Sequence, residues 1–179
     1  NPEIAMRWVN PVARSRSQSA SSSARVSPSA SARTKREDDC GTATAIRADI
    51  QRRGLGAVVR CVPATKKIAA LFQRLDGLVL PSLHEGFPNV LLEAMASRLP
   101  SIATRVGDVG NMLEDGRTGF VVEPRDAEGL ARALVRLHAM SAAEREAMGK
   151  RARAVVEARY QMEQVAEQHL ELYRRLLRR

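Results

Sequence analysis

Aromatic residues are scarce in this sequence. Phe, Trp and Tyr make up 3% of the 179 residues, so a core must be assembled from Leu, Val, Ile, Ala and Met, which suits helices packed on a parallel sheet. The same scarcity counts against an RNA-binding platform, which stacks bases on rings. Cysteine is scarcer still. Cys40 and Cys61 have no CxxC spacing, which argues against a zinc site and against a disulfide-stapled secreted domain and makes a reducing, cytoplasmic setting the default. Long apolar runs are missing: stretches such as Leu78–Leu80 fall far short of the roughly 20 residues that a membrane span requires. Residues 1–11 lack the apolar run of a signal peptide, and the absence of an initiator Met suggests a fragment with something upstream cut away.

What the sequence has in excess is positive charge, +9 in all. Its placement decides its meaning. Residues 1–53 hold ten Arg or Lys against five acids, and the other 126 hold nineteen against fifteen. Over half of the excess therefore lies in the part with the least hydrophobic pattern, and the charge is no argument for nucleic-acid binding by the folded part.

Between Pro11 and Ala45 there is no Leu, Phe or Tyr, and nine serines fall between Ser15 and Ser31. Such a segment cannot offset its own ordering entropy. Residues 1–45 are expected to form a disordered low-complexity segment, and residues 46–179 the domain. Two other readings stay open for the first segment: a basic RNA-binding tail, suggested by Arg14–Ser17, and a misread coding frame in a GC-rich gene.

Beyond it, strand and helix patterns alternate. A helix is predicted over Ile46–Arg53, a strand over Ala57–Val62, an amphipathic helix over Lys66–Leu75 and a buried strand over Gly77–Leu80 stopped by Pro81. A helix over Asn89–Ser97 and strands at Ser101–Ala103 and Gly119–Val122 follow. The tail is all helix: Asp126 caps Ala127–His138, Ser141 and Glu144 form a capping box, and Gln161–Leu177 closes the chain. The fold class this implies is α/β, a Rossmann-like, mostly parallel sheet with helices on both faces and a helical C-terminal tail. Ligands of such folds bind at the carboxyl ends of the strands.

The richest stretch, Pro81–Ala94, lies at such an end, where a strand gives way to a helix. Free N–H groups and the helix dipole there suit an anion, worth roughly 0.3–1 kcal/mol. Gly86 lets a ligand approach the backbone, and Asn89 can cap the helix, leaving the amides of Val90 and Leu91 near the sheet edge. Glu85 and Glu93, eight positions apart, can face one cleft, where carboxylates accept hydrogen bonds from pairs of sugar hydroxyls. His84 beside them reads as a bystander, and Lys66 and Lys67 as a solvated helix start. Gly107 suits a turn close to the ligand, or a plain loop.

Ser82, Glu85–Asn89 and Glu93–Ala94 resemble the Glu-x7-Glu motif of glycosyltransferase family 4, and Pro100–Gly107 and Glu114–Val122 resemble the segments that follow it. The resemblance covers residues 46–179. It implies the C-terminal, donor-binding half of a retaining GT-B enzyme that moves a hexose-type sugar to a glycan or lipid acceptor held by an N-terminal domain. It further implies that Glu93 takes the ribose hydroxyls and that Glu85, the catalytic candidate, lies against the transferred sugar. The amides of Gly86, Phe87 and Asn89 would meet sugar hydroxyls, those of Val90 and Leu91 the diphosphate, with Ser82 and Gly107 close by. No metal or other cofactor and no nucleic acid is expected; the nucleotide-diphosphate sugar is the substrate. The setting implied is cytoplasmic, with room for a peripheral association at the inner membrane face.

The chain departs from the family at its start. The Gly-Arg and Lys-Gly segment that meets the donor diphosphate is absent, only Asp39–Gly41 resembles the later Gly-Asp-Gly turn, and Asn111 stands where many relatives have Glu. By the resemblance the active site lies between two domains and this sequence has room for one, so the chain alone is expected not to transfer sugar, with donor binding weakened by the missing segment. A degenerate module that binds nucleotide without catalysis is the alternative.

Overall fold

The computed structural model describes residues 4–6, 41–62 and 65–178. They divide into two units, one holding residues 41–62 and the other residues 4–6 together with 65–178.

In the smaller unit, α1 (Gly41–Arg52) is an exposed helix. Asp49 accepts hydrogen bonds from Arg52 and, at 2.7 Å, from Arg53. The Arg52 hydrogen bond, with the charges of both guanidinium groups, holds the Asp49 carboxyl below its ordinary range. Gly54 ends the helix by turning left-handed at φ 66°, a conformation that costs glycine nothing. The strand expected over Ala57–Val62 does not form. Leu55–Ala57 is a single 3-10 turn, residues 59–62 have no regular structure, and Val58, Val59 and Val62 are exposed. A β-branched run expresses its strand preference only when a neighbouring strand pairs with it and buries one face, and among the described residues none pairs with this one.

The larger unit is built on a sheet in the order β1 (Ile4–Met6), β2 (Gly77–Leu80), β3 (Ser101–Thr104) and β4 (Phe120–Val122). The last three run parallel, with Leu80 opposite Ala103 and Ala103 opposite Val121. β1 pairs antiparallel along the edge of β2, so residues 4–6 of the segment expected to be disordered form an edge strand and residues 41–45 belong to α1; residues 1–3 and 7–40 lie outside the described ones. β2 and β3 are buried at every position, as parallel strands covered on both faces must be.

Strand alternation shares the core between the two faces. Leu80 and Ala103 point to α3 (Asn89–Ala96), where they pack with Leu91 and Met95, and to Val109 and Met112 of the short helix α4 (Val109–Met112). Val79, Ile102 and Phe120 point the other way, to Ala133 and Leu137 of α5 (Ala127–Ala139). Phe72 of α2 (Ile68–Phe72) closes a third cluster with Leu78, Ala94 and Leu99. Each fully buried Leu, Ile or Met of these clusters contributes roughly 1.5–3 kcal/mol.

The expected caps of the tail are present. Asp126 accepts from the Gly129 amide at 2.7 Å to start α5, and Ser141 and Glu144 exchange hydrogen bonds to start α6 (Ala142–Arg159). α7 (Met162–Leu177) follows with no buried residue, and Leu170, Leu172, Tyr173 and Leu176 are exposed along it. Among the described residues no helix is long and apolar enough to cross a membrane.

α6 lies across the end of α3 at very short range. Arg98, left-handed at φ 58°, turns its carbonyl onto Gly149. A Cβ at Gly149 would overlap that oxygen and stand 2.7 Å from the carbonyl carbon. Gly149→Ala should therefore lower stability by about 1–3 kcal/mol in urea denaturation. Gly110→Ala, where a Cβ would meet only the Arg105 side chain at 3.7 Å, should stay within about 0.5 kcal/mol of wild type.

Candidate functional site

Beyond Leu80 the chain enters Pro81, which has no N–H to continue a ladder. Ser82 follows and is buried. Its carbonyl accepts from the Thr104 hydroxyl at 2.6 Å, and its own hydroxyl donates to Glu85 Oε1 at 2.7 Å. The end of β3 thus supports Ser82, and Ser82 aims the half-buried Glu85. A hydroxyl donating to a carboxylate is worth about 1.5–3 kcal/mol, enough to favour one pose of a loop side chain.

Helix α3 begins differently from the expected pattern. Pro88 takes the cap position, and Asn89 is the first helical residue, exposed and with no capping hydrogen bond from a side chain at this helix start. Proline at the cap position has no side-chain acceptor, so the first-turn amides receive no side-chain cap. The Leu91 amide, expected to face a phosphate, donates at 3.0 Å to the Pro88 carbonyl. Leu91 itself is fully buried. Asn89 and Glu93, four apart, share the exposed face of the helix, while Ala94 and Met95 face the core.

A second loop, residues 105–108, completes the edge. Gly107 is left-handed at φ 51°, and a Cβ there would stand 2.5 Å from the Gly86 carbonyl oxygen, 2.8 Å from the carbonyl carbon of Glu85 and closer still to the Glu85 oxygen. The Asp108 amide donates to Gly86 O at 3.2 Å. Asp108 also accepts from the Asn111 side chain at 2.6 Å, a use for the residue that departs from the family pattern. Gly107 therefore does more than fill a turn: it lets one loop lie directly on the backbone of the other.

His84 is exposed, and Lys66 and Lys67 lie exposed just before α2. Glu114–Gly119, which shares the resemblance, has a structural job. Thr118 is buried and accepts from the Glu114 amide at 2.8 Å, Asp115 accepts from the Val121 amide at 2.9 Å, and Gly119 has no room for a Cβ against Ser101 O. A cavity of about 370 Å³ lined by Gly116, Phe120, Arg136, Ala139, Met140, Glu144 and Met148 shares no residue with the Glu85 edge. Its charged groups are already engaged, Arg136 over the Phe120 ring at 4.6 Å and Glu144 in its capping box. Among the described residues no three His, Cys, Asp or Glu side chains converge as metal ligands.

Three residues that the sequence reading passed over belong to this edge: Thr104, Asp108 and Tyr160. Tyr160 ends α6 with its ring tilted by 60° to that of Phe87, ring centroids 6.0 Å apart. The one signal available for it was rarity, since the sequence has two tyrosines.

Comparison with known proteins agrees with this fold. The family model described as glycosyl transferases group 1 matches residues 37–140. N-acetyl-alpha-D-glucosaminyl L-malate synthase of Bacillus anthracis is 36% identical over 111 residues, which are 62% of this chain and 29% of that one. Sucrose-phosphate synthase of Thermosynechococcus elongatus superposes with a TM-score of 0.71 at 33% identity, over 79% of this chain and 36% of the other. HepE of Anabaena, solved with UDP-glucose, has the same fold at 21% identity and a TM-score of 0.67, over 76% of this chain and 38% of its own. The chain thus spans less than two fifths of each of these proteins.

The two-loop contact makes Gly107→Ala a sharp test. Both the left-handed backbone and the overlap with Glu85 and Gly86 oppose a Cβ, so stability should fall by about 2–4 kcal/mol in urea denaturation. An unchanged midpoint would mean that the two loops separate freely.

Proposed function

Because the chain belongs to the glycosyl transferases group 1 family, we propose that it forms the donor-binding part of a glycosyltransferase, taking a nucleotide-diphosphate sugar for retaining transfer of a hexose to a glycan or lipid. One observation carries the reading: Glu85 is aimed by Ser82 at the carboxyl edge of a parallel sheet, next to the start of a helix whose exposed face carries Glu93. Sheets of this kind bind ligands at that edge. A protein of the same fold has been solved with UDP-glucose bound.

In this reading Glu93 holds the ribose through two hydroxyls. The Gly86, Phe87 and Asn89 amides and Glu85 meet the sugar, and the α3 dipole and the Val90 amide meet the diphosphate. Ser82 and Gly107 hold the loops in place. The Leu91 amide, already bonded to Pro88, contributes only if the first turn of α3 opens. In this reading no metal takes part, and the helix start offsets part of the charge of the leaving diphosphate. The acceptor binds to residues outside this chain, and the chain alone binds donor without turnover. A second reading, binding without catalysis in any context, is favoured by the missing Gly-Arg and Lys-Gly segment.

Calorimetric titration of the 179-residue chain with UDP-glucose, ADP-glucose and GDP-mannose, each with its free diphosphate, tests these roles. Glu93→Ala should weaken both the sugar nucleotide and the free diphosphate about tenfold to a hundredfold, because ribose is common to both. Glu85→Ala should weaken the sugar nucleotide by a similar factor and the free diphosphate by less than about twofold. A chelator should change neither titration. Equal losses for both ligands in Glu85→Ala would remove that residue from the sugar.

A further inference from the structure

The two loops of the candidate site are clamped to each other at Gly107 and Asp108, but the outer end of the first loop needs its own support. Phe87 is 47% exposed, and a glycine precedes it. The group that meets it comes from a distant part of the chain. Tyr160 stands at the junction of α6 and α7, with its amide bonded to Val156 O at 2.9 Å. It packs on the same buried cluster as Val90 of α3 and Val106 of the second loop. One side of its ring faces Phe87 at 6.0 Å between centroids, tilted by 60°.

We infer that Tyr160 is a positioning residue for the donor site, a prop rooted in the core that holds the Phe87 end of the first loop in register with the Asp108 end of the second. The inference rests on the donor-binding reading of that edge. Through Phe87 the prop sets the pose of the Gly86–Asn89 backbone, the part of the site that meets the transferred sugar rather than the nucleotide. It also couples the α6–α7 junction to that backbone, so a shift of α7 reaches the sugar subsite through one aromatic contact. Burial, and after it the carboxylate of Asp108, push the phenol above its ordinary value, with Arg159 opposing. The ring thus meets the second loop as a neutral group at physiological pH, in keeping with its seat on apolar side chains.

A tyrosine that merely stabilised α6 would lower the affinity for every ligand together, or for none. A prop acting through the sugar loop splits them. In the full chain, Tyr160→Ala should weaken whichever of UDP-glucose, ADP-glucose and GDP-mannose binds by about fivefold to twentyfold, the range that loss of an aromatic contact and its loop order allows. The matching free diphosphate should change by less than about twofold. Tyr160→Phe keeps the ring and should restore the sugar nucleotide to within about twofold. Phe87→Leu, at an exposed position, removes the contact from the other side and should reproduce the split even where Tyr160→Ala fails to fold. An equal loss for both ligands, no loss in either variant, or a failure of Tyr160→Phe to restore affinity overturns the inference alone. Wild-type chain that binds none of the three sugar nucleotides and none of their diphosphates overturns the donor-binding reading, and this inference with it.

Discussion

Gly107 lies with its backbone against the backbone of Glu85 and Gly86, at a distance that leaves no space for a Cβ. The pose of both loops at the carboxyl edge of the sheet depends on that contact. Held there, the first loop ends with Ser82 on the Thr104 hydroxyl and Glu85 on the Ser82 hydroxyl. The second loop offers Asp108 to the Gly86 carbonyl and to Asn111. Backbone contact of this kind is stiffer than contact between side chains, because neither partner has a rotamer to change. On the proposed donor-binding reading, in which main-chain amides meet the sugar, the site gains from that stiffness.

The sheet beneath explains why the polar loops sit at its edge. β2 and β3 are buried on both faces, with Leu80 and Ala103 serving one helix layer and Val79 and Ile102 the other. Polar function has no room along such strands and moves to the loops where they end. The family resemblance divides accordingly. Glu85, Gly107 and the start of α3 shape the edge, whereas Thr118, Asp115 and Gly119 hold a turn that seats β4 beside Ser101.

Electrostatics adds little to the fold. The ion pairs, such as Arg105 with Glu123 and Arg117 with Glu114, join exposed side chains and contribute at most about 1 kcal/mol each. The positive end of α3 is different in kind, because its dipole is aligned by the backbone and cannot turn away from an incoming anion.

The sequence by itself determined the class of the fold, the order of its strands and helices from Gly77 onward apart from the short helix α4, the caps at Asp126 and Ser141, and the place of the Glu85–Glu93 motif. Those features follow from local periodicity and from residues acting on near neighbours. Tertiary structure decided the rest. Ala57–Val62 has the composition of a strand and is none, since pairing is a property of two segments. Asn89 has the composition of a cap, but Pro88 takes the cap position. That Gly107 seats one loop on another, that Gly149 admits the carbonyl of Arg98, and that Tyr160 meets Phe87 across 73 positions of sequence are facts of contact between distant segments. Periodicity measures burial along one element and says nothing about which residue of another element fills the space beside it.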